Sequence, residues 1–169
     1  MSKVYVFLAD GFEEIEGLTV VDLLRRAGIE TITVSVMGRE EIFGSHRIPV
    51  TADTLIGKVH PTKEDMLVLP GGMPGTLHLG DCEGLKGFLM KAAEENGRIA
   101  AICAAPTVLG KLGLLNGRKA ICYPGMEDGL TGAEVTVEPV VTDGNITTSR
   151  GLGTAIPFAL RLIEELSGK

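Results

Sequence analysis

Tryptophan is absent from this 169-residue sequence and aromatic residues supply only 4% of it, so aliphatic side chains and alanine must fill the interior. No apolar run approaches the ~18 residues of a membrane-spanning helix. There is no basic tract interleaved with aromatics, and the net charge of −6 argues against a nucleic-acid partner. The opening stretch "MSKVYVFLADGFEE" has no small-residue cleavage site and runs straight into acids. It therefore reads as a first strand, and the protein as cytoplasmic. Cys82, Cys103 and Cys122 form no CxxC pair, and their odd number suits a reducing compartment better than a disulfide framework. His46, His60 and His78 are scattered without ligand spacing, which gives no grounds for a dedicated metal site. The segment "GLGTAI" (151–156) lacks the third glycine of a dinucleotide fingerprint, so no cofactor is expected.

What is present describes one soluble unit, a single domain over 1–169, of length sufficient for a full core. At 44% apolar and 22% charged the composition is that of a folded chain, and 23 glycines announce many tight turns. "KVYVFLA" (3–9) reads as a strand covered on both faces. Residues 13–28 carry apolar positions at helical spacing, glutamates in the first turn, Arg25 and Arg26 in the last, and Gly28 as the stop. A second strand over 30–37 completes a βαβ unit. The segment 38–64 is irregular and holds a small β-hairpin. Further strands are predicted at 65–72, 98–102 and 119–123. Helices are predicted at 81–97 with Asp81 as N-cap, at 105–115, and at 152–168. A strand pair over 137–149 turns at "DGN". This alternation specifies a three-layer α/β/α sandwich with a mostly parallel sheet.

In such sheets sites form beyond the carboxyl ends of the strands. Three predicted ends are unusual: Asp10-Gly11, Pro70-Gly71-Gly72, and Cys103. A residue between a strand and an immediate helix turns sharply and lifts its side chain above the sheet edge, and Ala104 and Ala105 are small enough to permit it. A helix start behind Cys103 favours a thiolate and a lowered pKa. On spacing alone, a nucleophile and a buried packing cysteine stand as equal readings. Cys122 sits in a similar "AIC" run, but "GMEDGL" follows its proline and offers no helix, so it ranks below Cys103; Cys82 reads as surface or packing. Glu13 and Glu14 read as solvated first-turn acids. Glu16 lies at the edge of the buried face. If it touches the sulfur, the two cannot both ionise cheaply, and Glu16 should hold its proton and donate a hydrogen bond to the sulfur.

The segments "LADGFEEIE" (8–16), "RRAG" (25–28), "VLPGG" (68–72), "AAICAAP" (100–106), "TSRGLGTA" (148–155) and "FALRLIEEL" (158–166) together resemble the ThiJ/PfpI superfamily, in the branch of the Parkinsonism-associated deglycase. The resemblance implies a flavodoxin-like sandwich and a homodimer. It implies a nucleophilic Cys103, a protonated Glu16, and oxyanion donors at the backbone of Gly71 and Gly72, to which Ala104 is added. The implied activity is cofactor-independent glyoxalase or deglycase chemistry, of lyase or hydrolase type, on a small-molecule aldehyde or a glycated amine or thiol. Chaperone-like and oxidative-stress roles are also attributed to the branch. Where many members place a histidine near the cysteine, this chain has Tyr123, a poor base at neutral pH. Protease-type relatives put a histidine directly after the cysteine; here it is Ala104, which disfavours proteolysis. Arg25 and Arg26 are candidates to line an anion pocket, with a solvated helix end as the favoured reading. Three readings follow: an enzyme using a Cys103 thiolate, an oxidative-stress sensor using its oxidation, and a scaffold with a reactive thiol.

Overall fold

A computed structural model describes residues 2–168. Its central sheet has seven strands in the order β10-β11-β7-β6-β1-β2-β5. In chain order the strands are β1 (Val4–Leu8), β2 (Thr31–Ser35), β3 (Glu41–Phe43), β4 (Pro49–Thr51), β5 (Thr54–Leu55), β6 (Met66–Leu69), β7 (Arg98–Ile102), β8 (Lys119–Ala120), β9 (Glu134–Val135), β10 (Val140–Asp143) and β11 (Ile146–Ser149). The helices are α1 (Glu14–Arg26), α2 (Gly75–Asp81), α3 (Glu83–Glu94), α4 (Pro106–Lys111) and α5 (Ala155–Ser167). Every pairing in the main sheet is parallel except β10 with β11, the hairpin that turns at Asp143-Gly144-Asn145. The predicted hairpin in 38–64 forms from β3 and β4, antiparallel and separate from the main sheet.

Alternation along the buried strands splits the core into two layers. Val4, Val6 and Leu8 of β1 face α1 and α5, packing with Val20, Leu24, Phe158 and Leu162. Tyr5 and Phe7 face the other way, with Leu67, Leu85, Leu89 and Val108. In α1 the acids of the first turn and the arginines of the last suit the helix dipole, and Gly28 leaves the helix at φ 78°.

The middle of the chain departs from the sequence expectation. The stretch after Gly72 forms α2, which "PGTLHLGD" hid behind two glycines and a proline. Asp81 therefore ends α2, and Cys82 occupies the N-cap of α3. The predicted strand 119–123 shortens to β8, which pairs with β9 outside the main sheet. Among the described residues, no helix is long and apolar enough to cross a membrane.

Candidate active site

The strands β7, β6 and β1 are neighbours, so their carboxyl ends bring Cys103, Gly71-Gly72 and the start of α1 to one place. Cys103 follows β7 directly and adopts φ 66°, a left-handed conformation that non-glycine residues rarely take. Two backbone bonds fix it there. Its N–H donates to Ser149 O at 2.9 Å, and its carbonyl accepts from Tyr123 N–H at 2.7 Å. Ala104 and Ala105 are buried, and Pro106 then begins α4 with the missing N–H that suits a first turn.

Glu16 is 1% exposed. Its Oε1 accepts the Gly71 N–H at 2.9 Å, while Oε2 has no hydrogen-bond partner among the described residues. Gly71 is the spacer between the two side chains. A Cβ placed on it would lie 2.6 Å from Cys103 Cβ and 2.7 Å from Glu16 Oε1. Burial pushes Glu16 up to about 7, aided by the charge of Glu13 and opposed by hydrogen bonds from the Cys103 thiol and the Gly71 N–H. Cys103 is pushed up to about 12, by burial first and then by the Glu16 carboxylate, with the N–H groups of Ala104 and Gly72 pulling the other way.

The lowered thiol pKa expected from a helix start is therefore overturned for a thiol facing ionised Glu16. The pair accepts one negative charge near pH 7 and resists a second. With Glu16 at about 7 and Cys103 at about 12, the charge goes to Glu16 first; moving it to sulfur requires the thiol proton to pass to the otherwise unpartnered Oε2, where the Gly72 and Ala104 N–H groups would face the thiolate. The Gly71 N–H is committed to Glu16, which leaves Gly72 and Ala104 as the backbone donors at the sulfur.

Tyr123 sits beside Cys103 through its backbone, and its half-exposed side chain lines a cleft with Pro124, Arg150 and Leu152. Arg25 and Arg26 lie away from Cys103 at the exposed far end of α1, so the anion-pocket alternative falls and the solvated helix end stands. Arg25 reaches the Thr31 carbonyl and Asp53 at the amino end of β2, and Arg26 pairs with Asp22 one turn earlier on α1. A cleft of about 460 Å³ between α2 and α4, lined by Met73, Thr76, Leu77, Val108 and Met126, includes neither Cys103 nor Glu16 in its walls.

Sequence reasoning also misplaced Glu13 and Glu14. Both are buried, not solvated, and they meet Ser45 and His46 from the turn between β3 and β4. Burial opposes ionisation of Glu14, but its own N–H, the His46 ring, and the N–H groups of His46 and Ile48 hold it down to about 2. The partners are some 32 residues apart in the chain, and no local spacing announces them.

Comparison with known proteins agrees with this geometry. Residues 2–165 match the profile of the DJ-1/PfpI family. Protein dj-1beta of Drosophila melanogaster is 44% identical over 173 residues, covering all of this chain and 92% of that protein. A crystal structure of a DJ-1 superfamily protein from Salmonella typhimurium, solved as a cysteine-to-alanine mutant, superimposes with a TM-score of 0.95. It is 34% identical and covers 100% of this chain and 92% of that one. Oxidized Toxoplasma gondii DJ-1 superimposes with a TM-score of 0.93 at 39% identity, over 98% of this chain and 91% of that one.

Proposed function

The chain belongs to the DJ-1/PfpI family, and on that footing we propose that it is a cysteine-dependent, cofactor-independent enzyme. Its substrates are small 2-oxoaldehydes or the adducts they form with amines and thiols, and its outcome is glyoxalase- or deglycase-like. The observation that carries this reading is the Glu16 carboxyl held by Gly71 beside the Cys103 sulfur, with Oε2 buried and free of other partners. A thiolate next to a neutral acid is equipped for addition to a carbonyl followed by proton transfer.

The Cys103 sulfur adds to the aldehyde carbon, and the carbonyl oxygen takes the Glu16 proton, giving a hemithioacetal. The Glu16 carboxylate then removes the hydrogen from the former aldehyde carbon as a proton. Returning it to the adjacent carbon leaves a thioester of a 2-hydroxy acid. Water cleaves the thioester and restores the thiol, so the net change is addition of one water to the substrate. The Gly72 and Ala104 N–H groups, aimed at the sulfur in the resting site, supply positive dipoles where the oxyanion forms. Methylglyoxal without glutathione is the test. Lactate should form, with kcat/KM falling at least ~100-fold in Cys103→Ser and in Glu16→Gln, the scale of losing a nucleophile or a proton carrier.

The second reading is an oxidative-stress sensor in which Cys103 is oxidised to sulfinate without dedicated turnover, and the oxidized Toxoplasma relative favours it. No lactate, together with selective sulfinate at Cys103 under mild peroxide, would decide for it. Under either reading we place a second copy of the chain against the α1/α5 layer, where Leu152, Ile156 and Leu160 are each more than half exposed.

A further inference from the structure

The segment "TSRGLGTA" (148–155) turns the chain from β11 into α5 and carries the hydroxyls of Thr148, Ser149 and Thr154, none of which enters the chemistry above. All three residues are buried, so their hydroxyls must find partners inside the protein. Those partners lead to the nucleophile. Ser149 is the residue whose carbonyl accepts the Cys103 N–H at 2.9 Å. Its Oγ lies 2.8 Å from the Pro139 carbonyl and 2.6 Å from Thr154 Oγ1. Thr154 Oγ1 in turn accepts the Gly151 N–H at 3.2 Å.

Each hydroxyl has one proton to give. The Pro139 carbonyl otherwise receives only a long bond of 3.3 Å from the Arg150 N–H, so it takes the Ser149 proton. The 2.6 Å contact is then filled by the Thr154 proton. Thr154 Oγ1 also lies 2.9 Å from the Gly151 carbonyl, but that oxygen already accepts the Thr154 N–H at 2.9 Å. This assignment leaves no group idle. Gly151 N–H donates to Thr154, the Thr154 hydroxyl to Ser149, and the Ser149 hydroxyl to Pro139. The three bonds run in one direction, and bonds in series polarise one another. Gly151 is buried, and Thr154 Oγ1 is the one acceptor its N–H finds among the described residues.

Cys103 needs such support, because φ 66° is a conformation that its side chain disfavours and that persists only where the surroundings fix it. Both of its backbone anchors trace to this segment. Ser149 holds the Cys103 N–H. The Tyr123 N–H holds the Cys103 carbonyl, and the chain leading to Tyr123 is fastened by Thr148, whose Oγ1 accepts the Ile121 N–H at 3.0 Å. The ladder between β7 and β11 ends with Ile102 opposite Ser149, so beyond that pair the hydroxyls take over from the sheet. A rotation of the Ser149 carbonyl would free the Cys103 backbone to relax and carry its sulfur away from Glu16.

We propose that Thr154 and Ser149 are positioning residues for Cys103: their linked hydroxyls fix the carbonyl that holds the nucleophile in its left-handed turn, and so keep the sulfur against Glu16. The inference rests on the reading of Cys103 as the nucleophile. Its test compares Thr154→Val, which removes the hydroxyl and keeps the shape, with Thr154→Ser, which keeps the hydroxyl. Leu162→Ala serves as a control that loosens α5 against the sheet without touching these bonds. For each, Cys103 alkylation is followed against pH, and kcat and KM are measured with methylglyoxal. Thr154→Val should lose the alkylation step near pH 7 that pairing with Glu16 gives the parent, and its kcat should fall ~10-fold while KM stays within ~2-fold. Thr154→Ser should recover most of both. Leu162→Ala should unfold at a lower temperature and keep the step. The proposal is overturned if Thr154→Val keeps the parent's step, if Thr154→Ser fares no better than Thr154→Val, or if Leu162→Ala moves the step as far. Should Thr154→Val not fold, Ser149→Ala interrupts the same chain of bonds and is judged by the same outcomes. A parent that shows the step but makes no lactate would end the aldehyde chemistry alone, and the alkylation profiles would then decide the positioning role by themselves.

Discussion

At Glu16 a carboxyl that ordinarily ionises near 4.5 keeps its proton to about 7, and that shift has a thermodynamic consequence. The folded state binds the proton more tightly than the unfolded chain does. The stabilisation is complete below pH ~4.5 and disappears as the pH rises through ~7, amounting to about 3 kcal/mol across that window. Glu16→Gln keeps the shape and removes the titration. Its unfolding free energy, measured by urea at pH 5 and pH 8, should vary less with pH from this source and exceed that of the parent at pH 8. A parent protein equally stable at both pH values once its other groups are allowed for would contradict the shift. Glu14 works in the opposite sense. Held down to about 2, it contributes stability above its ordinary value that is lost as the pH falls from ~4.5 toward 2.

Among the elements, the end of β6 constrains the site most tightly. Gly71 has no room for a methyl group, since it would press on the Cβ of Cys103 and the Ile102 carbonyl at 2.6 and 2.8 Å and on Glu16. Gly71→Ala should force the acid and the thiol apart. Cys103 alkylation followed against pH should then lose the step near pH 7 that the paired groups give the parent, and turnover should fall at least ~10-fold while the sheet survives. The elements that position this pair were legible in the sequence. β1 and β7 announce themselves as short apolar runs, and the break from Ile102 to Cys103-Ala104 marks the turn. α2 was not legible, because Gly75 and Gly80 beside Pro74 read as loop while tertiary packing makes them helical. The solvated end of α1 at Arg25 and Arg26 was legible too, because a helix that begins at the carboxyl end of β1 runs back to the amino end of the sheet. The partnership of Glu13 and Glu14 with Ser45 and His46 was invisible because it joins a helix to a hairpin outside the main sheet.

For the whole molecule, the two faces of the sheet are unequal toward solvent. The α1/α5 layer leaves Leu152, Ile156 and Leu160 at one-turn spacing on the outside of α5 and the turn before it, and Ile15 is half exposed on α1. The proposed second chain on this layer would cover that stripe. Sedimentation velocity should give a dimer for the parent and a monomer of unchanged circular dichroism for Ile156→Glu with Leu160→Glu. A monomeric parent at micromolar concentration would remove the assignment.

The same two-layered build isolates the thiols. Cys103 packs with the α1/α5 layer, whereas Cys82 and Cys122 belong to the opposite one, and all three are free. Their side chains pack in different layers, so a sulfenic acid formed at Cys103 would have no second cysteine packed in its own layer. Repair of this site must come from a small thiol or a reductase in solution. When that supply fails, the damage runs on to higher oxidation states that no internal disulfide can intercept.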